Sequence, residues 1–117
     1  MTPERWSVWV VNLDPVVGSE QGRTRPVLIL SETSLNYILP VVSALPITSR
    51  KPHRRIYPNE ALIPAGTAGL NLESIVLCYQ TRTLDQQRLA KKLGTLDDES
   101  LKIQVLNALR FQLGLNE

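Results

Sequence analysis

The sequence predicts an α+β fold: a small, strongly bent antiparallel sheet close to an SH3-like barrel, with a C-terminal helix packed on it. Three observations carry this. All eight prolines fall within the first 64 residues, and proline breaks helices and punctuates strands. Short runs rich in Val, Ile and Trp alternate with turn residues over that same region. The last twenty residues instead show four-residue apolar spacing, the mark of an amphipathic helix.

Taken in order, "SVWVVNLD" (Ser7–Asp14) reads as a first strand and "RPVLILS" (Arg25–Ser31) as a second, with Pro26 tolerated at its first position. "VVSALPITS" (Val41–Ser49) is a third strand, with Pro46 marking an edge or a bulge. "RRIYPNEALIP" holds a short fourth. "SIVLCYQTRTL" (Ser74–Leu84) is the strongest, its continuous apolar character predicting burial on both faces. "LDQQRLAKKLGTL" is ambiguous, with a composition that favours helix and a length that leaves room for one helical turn and then a strand. Asp97 is the expected N-cap of the terminal helix, with Asp98 and Glu99 in its first turn, where the dipole favours negative charge. Leu101, Val105, Leu109 and Leu113 form its expected core stripe, and Gly114 its C-terminal stop.

At 117 residues the chain is expected to form one domain, residues 1–117, with a core large enough to need no disulfide or metal. Cys78 lies in an apolar run and is read as a buried, reduced thiol. One cysteine and one histidine exclude a zinc site of the usual Cys/His kind within one chain. The N-terminus lacks the pattern of a signal peptide, and no apolar run approaches the length of a membrane span, so a cytoplasmic location without membrane contact is expected. The net charge is only +2. Arg50, Lys51, His53, Arg54 and Arg55 nonetheless cluster with no acid among them, as either a phosphate-attracting patch or a solvated loop.

The loop in "LDPVVGSEQGRTRPVLIL" is far longer than a hairpin turn requires, and long loops on rigid strands concentrate function. No nucleophile elbow or phosphate-cradling P-loop is present. Arg, Glu, Thr, Ser and Gln suit one metal-free reaction. RNA carries its own nucleophile, the 2′-hydroxyl, so cleavage needs only a proton acceptor, a stabiliser of phosphoryl charge and a proton donor for the leaving oxygen. Arg25 suits charge stabilisation through its planar fork. Thr48 or Ser49 can add a hydrogen bond, and Glu20 can serve as a base.

Three stretches, "WVVNLDPVVGSEQGRTRPVLILS", "LPITSR" and "SIVLCYQTRTLDQQRLAKKLGTLDDE", together resemble the MazF/PemK family of toxin endoribonucleases, in the right order from Val8 to about Gly114. The resemblance implies a homodimer that cleaves single-stranded RNA at short sequences without a metal or other cofactor, leaving a 2′,3′-cyclic phosphate and a 5′-hydroxyl. It implies Arg25 and Thr48 as the catalytic pair, and Ser19, Glu20, Gln21, Ser49 and Gln80 as RNA-contacting residues. It also implies a cognate antitoxin whose acidic, disordered tail covers the same groove. The family commonly opens its first strand with Gly-Asp, where this chain has Trp6-Ser7, which puts the strand entry in question. Two other readings are a non-catalytic toxin of the same fold, of the gyrase-inhibiting kind, and an RNA-binding module. The first lacks its Trp-containing tail, since the chain ends "RFQLGLNE". The second would account for the basic cluster but not for Arg25, Thr48 and Gln80 together.

Overall fold

The computed structural model describes residues 2–13, 17–18 and 23–115. Among these, seven strands and two α-helices are formed: β1 (Ser7–Asn12), β2 (Thr24–Ile29), α1 (Thr33–Ile38), β3 (Val41–Ser49), β4 (Glu60–Ile63), β5 (Ser74–Leu77), β6 (Arg82–Asp85), β7 (Leu89–Thr95) and α2 (Glu99–Leu113). All pairings are antiparallel, in the order β4-β5-β3-β2-β1-β7, with β6 also on β3. This is the expected bent sheet. Its end strands, β4 and β7, do not pair with each other, and α2 packs against β4.

Alternation along the strands divides the core in two. Val8, Leu28, Leu45 and Ile47 face α2 and pack with Val105 and Ala108. On the other pleat Trp9, Val11, Leu13, Val27, Ile29, Val42, Ala44 and Leu84 form a second cluster. A sheet covered on both faces needs apolar residues at successive positions, and β5 is buried at all four.

The expected single strand from Ser74 to Leu84 is interrupted. Ile47 of β3 pairs with Val76, and Ala44 pairs with Arg82, so three steps along β3 correspond to six along its partner. The excess is taken up by a turn of 3₁₀ helix, Cys78–Gln80. It bends the sheet where its burial on both faces is completed by Cys78, whose side chain lies against the Val105 carbonyl of α2. Burial, with the nearby Glu60 carboxylate second, pushes that thiol up to about 12, so it is inert at neutral pH, as expected of a structural cysteine.

The ambiguous segment resolves into its second option: a 3₁₀ turn, Gln86–Arg88, capped by Asp85, then β7. The helix α2 begins one residue later than expected. Asp98, not Asp97, is its N-cap and accepts from the Leu101 amide at 3.1 Å. Gly114 ends it with φ 71°. The stripe holds for Leu101, Val105 and Leu109, but Leu113 is half exposed because the helix outruns the sheet beneath it.

Helix α1 has no counterpart in the sequence reading. It has only six residues and no side-chain cap, and is held by tertiary bonds instead. The Asn36 amide donates to the Pro3 and Ser31 carbonyls at 3.0 and 3.1 Å, and the Gln86 amide donates to the Asn36 and Leu39 carbonyls.

The strand entry at Trp6-Ser7 is orderly. Trp6 adopts φ 74°, a left-handed conformation that favours glycine, which is a physical reason for a glycine there in relatives. The indole offsets the strain by packing on the core, with Arg5 and Lys102 cations 5.2 and 5.5 Å from its ring centre. Its backbone is bonded on both sides, N–H to the Ile29 carbonyl and C=O from the Leu96 amide.

Candidate RNA-cleavage site

Strand β3 belongs to two parts of the sheet, and the candidate site lies where it changes partners. Up to Pro46 it pairs with β2, with Val27 opposite Pro46. From Ile47 onwards its pairing is with β5. Pro26 cannot donate to the ladder, and past it β2 continues beside β1 alone, with Arg25 opposite Val11. Extending the β2–β3 register two residues sets Arg25 opposite Thr48, one on each side of the parting strands. By alternation both side chains share the pleat of Val27, Ile29 and Ala44, and both are half-buried. The register thus sets two residues distant in the chain on facing strands, just past the point where β2 and β3 stop pairing.

Gln80 closes the 3₁₀ turn that joins β5 to β6 along the edge of β3 opposite β2, and is half-buried. Ser49 is exposed and one residue beyond Thr48, hence on the opposite pleat. With Thr24, Arg25 and Pro26 it lines an open cleft of about 260 Å³, whose lining does not include Thr48. Ser19, Glu20 and Gln21 lie outside the described residues.

Two arginines absent from the sequence-level set join this end of the sheet. The Arg82 guanidinium reaches the Leu13 carbonyl at 3.5 Å, and Arg88 donates to the Asn12 carbonyl at 3.0 Å. With Arg23 and Arg25 they surround the root of the loop between β1 and β2, where the Leu13 amide bonds the Arg23 carbonyl. No local pattern marks this cluster, because it is assembled by β1 pairing with β2 on one side and β7 on the other. The only available signal is the arginine in "QTRT", which sits within one of the three stretches of resemblance.

The contiguous basic segment is built differently from the cluster its sequence suggests. Arg54 forms a two-pronged bond to Glu60, at 2.9 and 2.7 Å, and the Glu60 side chain is almost completely buried. Burial pushes the Glu60 carboxyl up, but bonds from Arg54 and from the Tyr57 amide outweigh it and hold the carboxyl below its ordinary value. The same bond raises the Arg54 guanidinium. Arg50 pairs with Glu73 at 3.2 Å and bonds the Arg54 carbonyl. Two of the four cations are thus structural, and Lys51 and Arg55 are the exposed ones. Among the described residues no group of three or more His, Cys, Asp or Glu could hold a metal ion. No described helix is long and apolar enough to cross a membrane.

The bent antiparallel sheet with its C-terminal helix is the fold of solved MazF structures, one of them described as a toxin. The profile of the PemK-like, MazF-like toxins of type II toxin–antitoxin systems matches residues 4–113. The chain belongs to that family. A curated relative, Endoribonuclease MazF of Staphylococcus saprophyticus, is 39% identical over 112 residues, covering 96% of this chain and 92% of that one. The structure of MazF from Deinococcus radiodurans superposes with a TM-score of 0.81 at 31% identity, covering 97% and 98% of the two chains. A MazE-MazF structure from the same organism gives 0.76 at 31%, covering 99% of each.

Proposed function

We propose that this chain is the toxin of a type II toxin–antitoxin system, a sequence-specific endoribonuclease that cleaves single-stranded RNA, mRNA above all. The reading is supported by 39% identity to a curated endoribonuclease and by a β2–β3 register that, extended two residues, would set Arg25 on the strand facing Thr48. The whole chain acts as one toxin domain.

The mechanism uses the substrate's own hydroxyl. The 2′-hydroxyl 5′ of the scissile phosphate gives its proton to a base, for which Glu20 is the candidate, as its oxygen attacks phosphorus; the P–O5′ bond breaks, and the O5′ leaving group takes up a proton from solvent. The products are a 2′,3′-cyclic phosphate and a 5′-hydroxyl. Arg25, permanently charged, grips the phosphoryl oxygens as negative charge builds on them and can hydrogen-bond O5′ as it leaves. Thr48 adds a neutral hydrogen bond from the facing strand. Gln80 offers an amide that both donates and accepts, suited to a base edge, while Ser49 and the loop residues Ser19, Glu20 and Gln21 complete the RNA path. No metal or cofactor is required, because nucleophile and charge stabiliser are both accounted for.

The chain works as a homodimer in the cytoplasm, where its mRNA substrate is, and is held in check by a cognate antitoxin. The antitoxin's acidic tail, disordered when free, lies over the arginines around Leu13 and competes with RNA for them. The Deinococcus structure that joins a 31% identical MazF with MazE supports this partnership.

The decisive test replaces one ribose. After the cut site has been mapped by sequencing the 5′ ends of fragments, a single deoxyribose 5′ of the scissile phosphate is expected to stop cleavage and leave binding nearly unchanged. EDTA is expected to have no effect on the all-RNA strand. Cleavage of the deoxy strand at a comparable rate would mean that water attacks, and the mechanism would be wrong.

A further inference from the structure

On the far side of the Cys78–Gln80 turn from the site, three aromatic rings face one open cleft. Tyr57, Tyr79 and Phe111 line it together with Arg54 and Pro58, enclosing about 400 Å³. The rings are 48%, 42% and 55% exposed. The chain has only six aromatic residues, so half of them stand at one solvent-facing site instead of in the core.

The walls are held in place. The Asn59 amide donates to the Gln112 side-chain oxygen at 3.1 Å and ties the approach to β4 to the end of α2. The Arg54–Glu60 pair and the bond from the Tyr57 amide to Glu60 fix the Tyr57 backbone. The Arg54 and Arg55 guanidinium groups lie 5.6 and 5.4 Å from the Tyr57 ring centre. Since Arg54 is matched by Glu60, exposed Arg55 supplies the excess positive charge. Tyr79 is the chain neighbour of Gln80, so the cleft adjoins the candidate base-reading position directly.

Exposed rings flanked by guanidinium groups are the arrangement that holds unstacked bases. We propose that this cleft is a stacking site for a nucleotide of the RNA strand lying outside the cleavage motif. The proposal rests on the endoribonuclease reading and extends it, by giving the enzyme affinity for flanking RNA independent of the bases it cuts between. An acidic peptide would be drawn to Arg55 but would leave the three rings without a matched partner, so a base is the better occupant.

The test uses two labelled RNAs with deoxyribose at the scissile position. One spans only the mapped motif, and the other carries six further nucleotides on each side. Fluorescence anisotropy is read for wild type, for the Tyr57→Ala/Phe111→Ala double variant and for Phe111→Trp. Wild type is expected to bind the longer RNA about tenfold more tightly than the short one. The double alanine variant is expected to lose that advantage while binding and cutting the short RNA as wild type does, and Phe111→Trp to keep it. An advantage that survives in the double variant overturns the proposal. So does an equal loss on both RNAs, or a loss confined to an acidic peptide. Wild-type protein that neither cuts nor binds RNA would sink the endoribonuclease reading and this one together, whereas the other failures leave the former standing.

Discussion

Arg25, the proposed stabiliser of phosphoryl charge, stands where the fold does not depend on it. It is half-buried at the mouth of a gap, outside both core clusters. Arg25→Ala is expected to leave the thermal melt near wild type and to lower the cleavage rate about 10²–10³-fold, the usual effect of losing one preorganised donor. A gel assay on RNA of known sequence decides it, and a folded variant that cuts at full speed removes Arg25 from the mechanism. Arg54 is the opposite case. Its loss strands the buried Glu60 carboxylate without its guanidinium, so Arg54→Ala is expected to cost about 2–3 kcal/mol in denaturant unfolding, the partial exposure of Arg54 keeping it below the values for fully buried pairs.

The pair also sets a direction in pH. The Glu60 carboxyl is held below its ordinary value in the folded protein, so its contribution is complete above the ordinary carboxylate range and is lost as pH falls through the lowered folded value. Melting temperatures of wild type are expected to drop on acidification from about pH 6 to about pH 3, and Glu60→Gln to flatten part of that slope. The Arg54 contribution, with its guanidinium raised, would be lost only in strong alkali. An acid slope identical in the two proteins would show that Glu60 is not the group responsible.

At the scale of elements, the Cys78–Gln80 turn has a consequence that follows from strand geometry. Side chains alternate with period two, so a strand shifted by one residue turns its apolar row outward. Deleting Tyr79 alone would force β6 either to lose its register with β3 or to present Asp85 where Leu84 is buried. Such a variant is expected to fail to give a cooperative melt, while Tyr79→Ala melts near wild type. Equal stability of the two would mean that the turn is not what sets the register of β6.

This element also marks where sequence reading stops. β3, β4 and α2 are legible because hydrophobic period and punctuation are local, and the late strand was legible as apolar but not as broken, since "SIVLCYQTRTL" contains no glycine or proline to mark the break. Helix α1 was invisible because its bonds come from Pro3 and Gln86, far away in the chain. Of the candidate site, Arg25 and Thr48 were suggested by their chemistry and by the resemblance, Gln80 by the resemblance alone, and the extended β2–β3 register sets the first two on facing strands. Arg82 and Arg88 had no local signal, while the obvious "RKPHRR" cluster overstated its free charge, because the partner of Arg54 lies six residues on at Glu60 and that of Arg50 at Glu73.

For the whole molecule, the order of strands in space differs from their order in the chain. β1 lies between β2 and β7, and its partner on one side is not reached until Leu89–Thr95. Contacts between residues so far apart pay the chain entropy of loop closure before they are rewarded. Site and core are finished together, since Arg88 immediately precedes β7 and Val105 on α2 fills the cluster around Val8.

That arrangement has a meaning in time as well as in space. A chain emerging from the ribosome N-terminus first carries Arg25 and Thr48 into solution early, but the strand that closes β1 and the helix that covers β4 come last. Until about residue 105 has emerged, β1 has one open edge and Val8 lacks part of its cover. If its substrate is messenger RNA, as proposed above, the message being read is the nearest one. A toxin whose strand order delays its own completion is harmless to its template for most of the time it takes to make it.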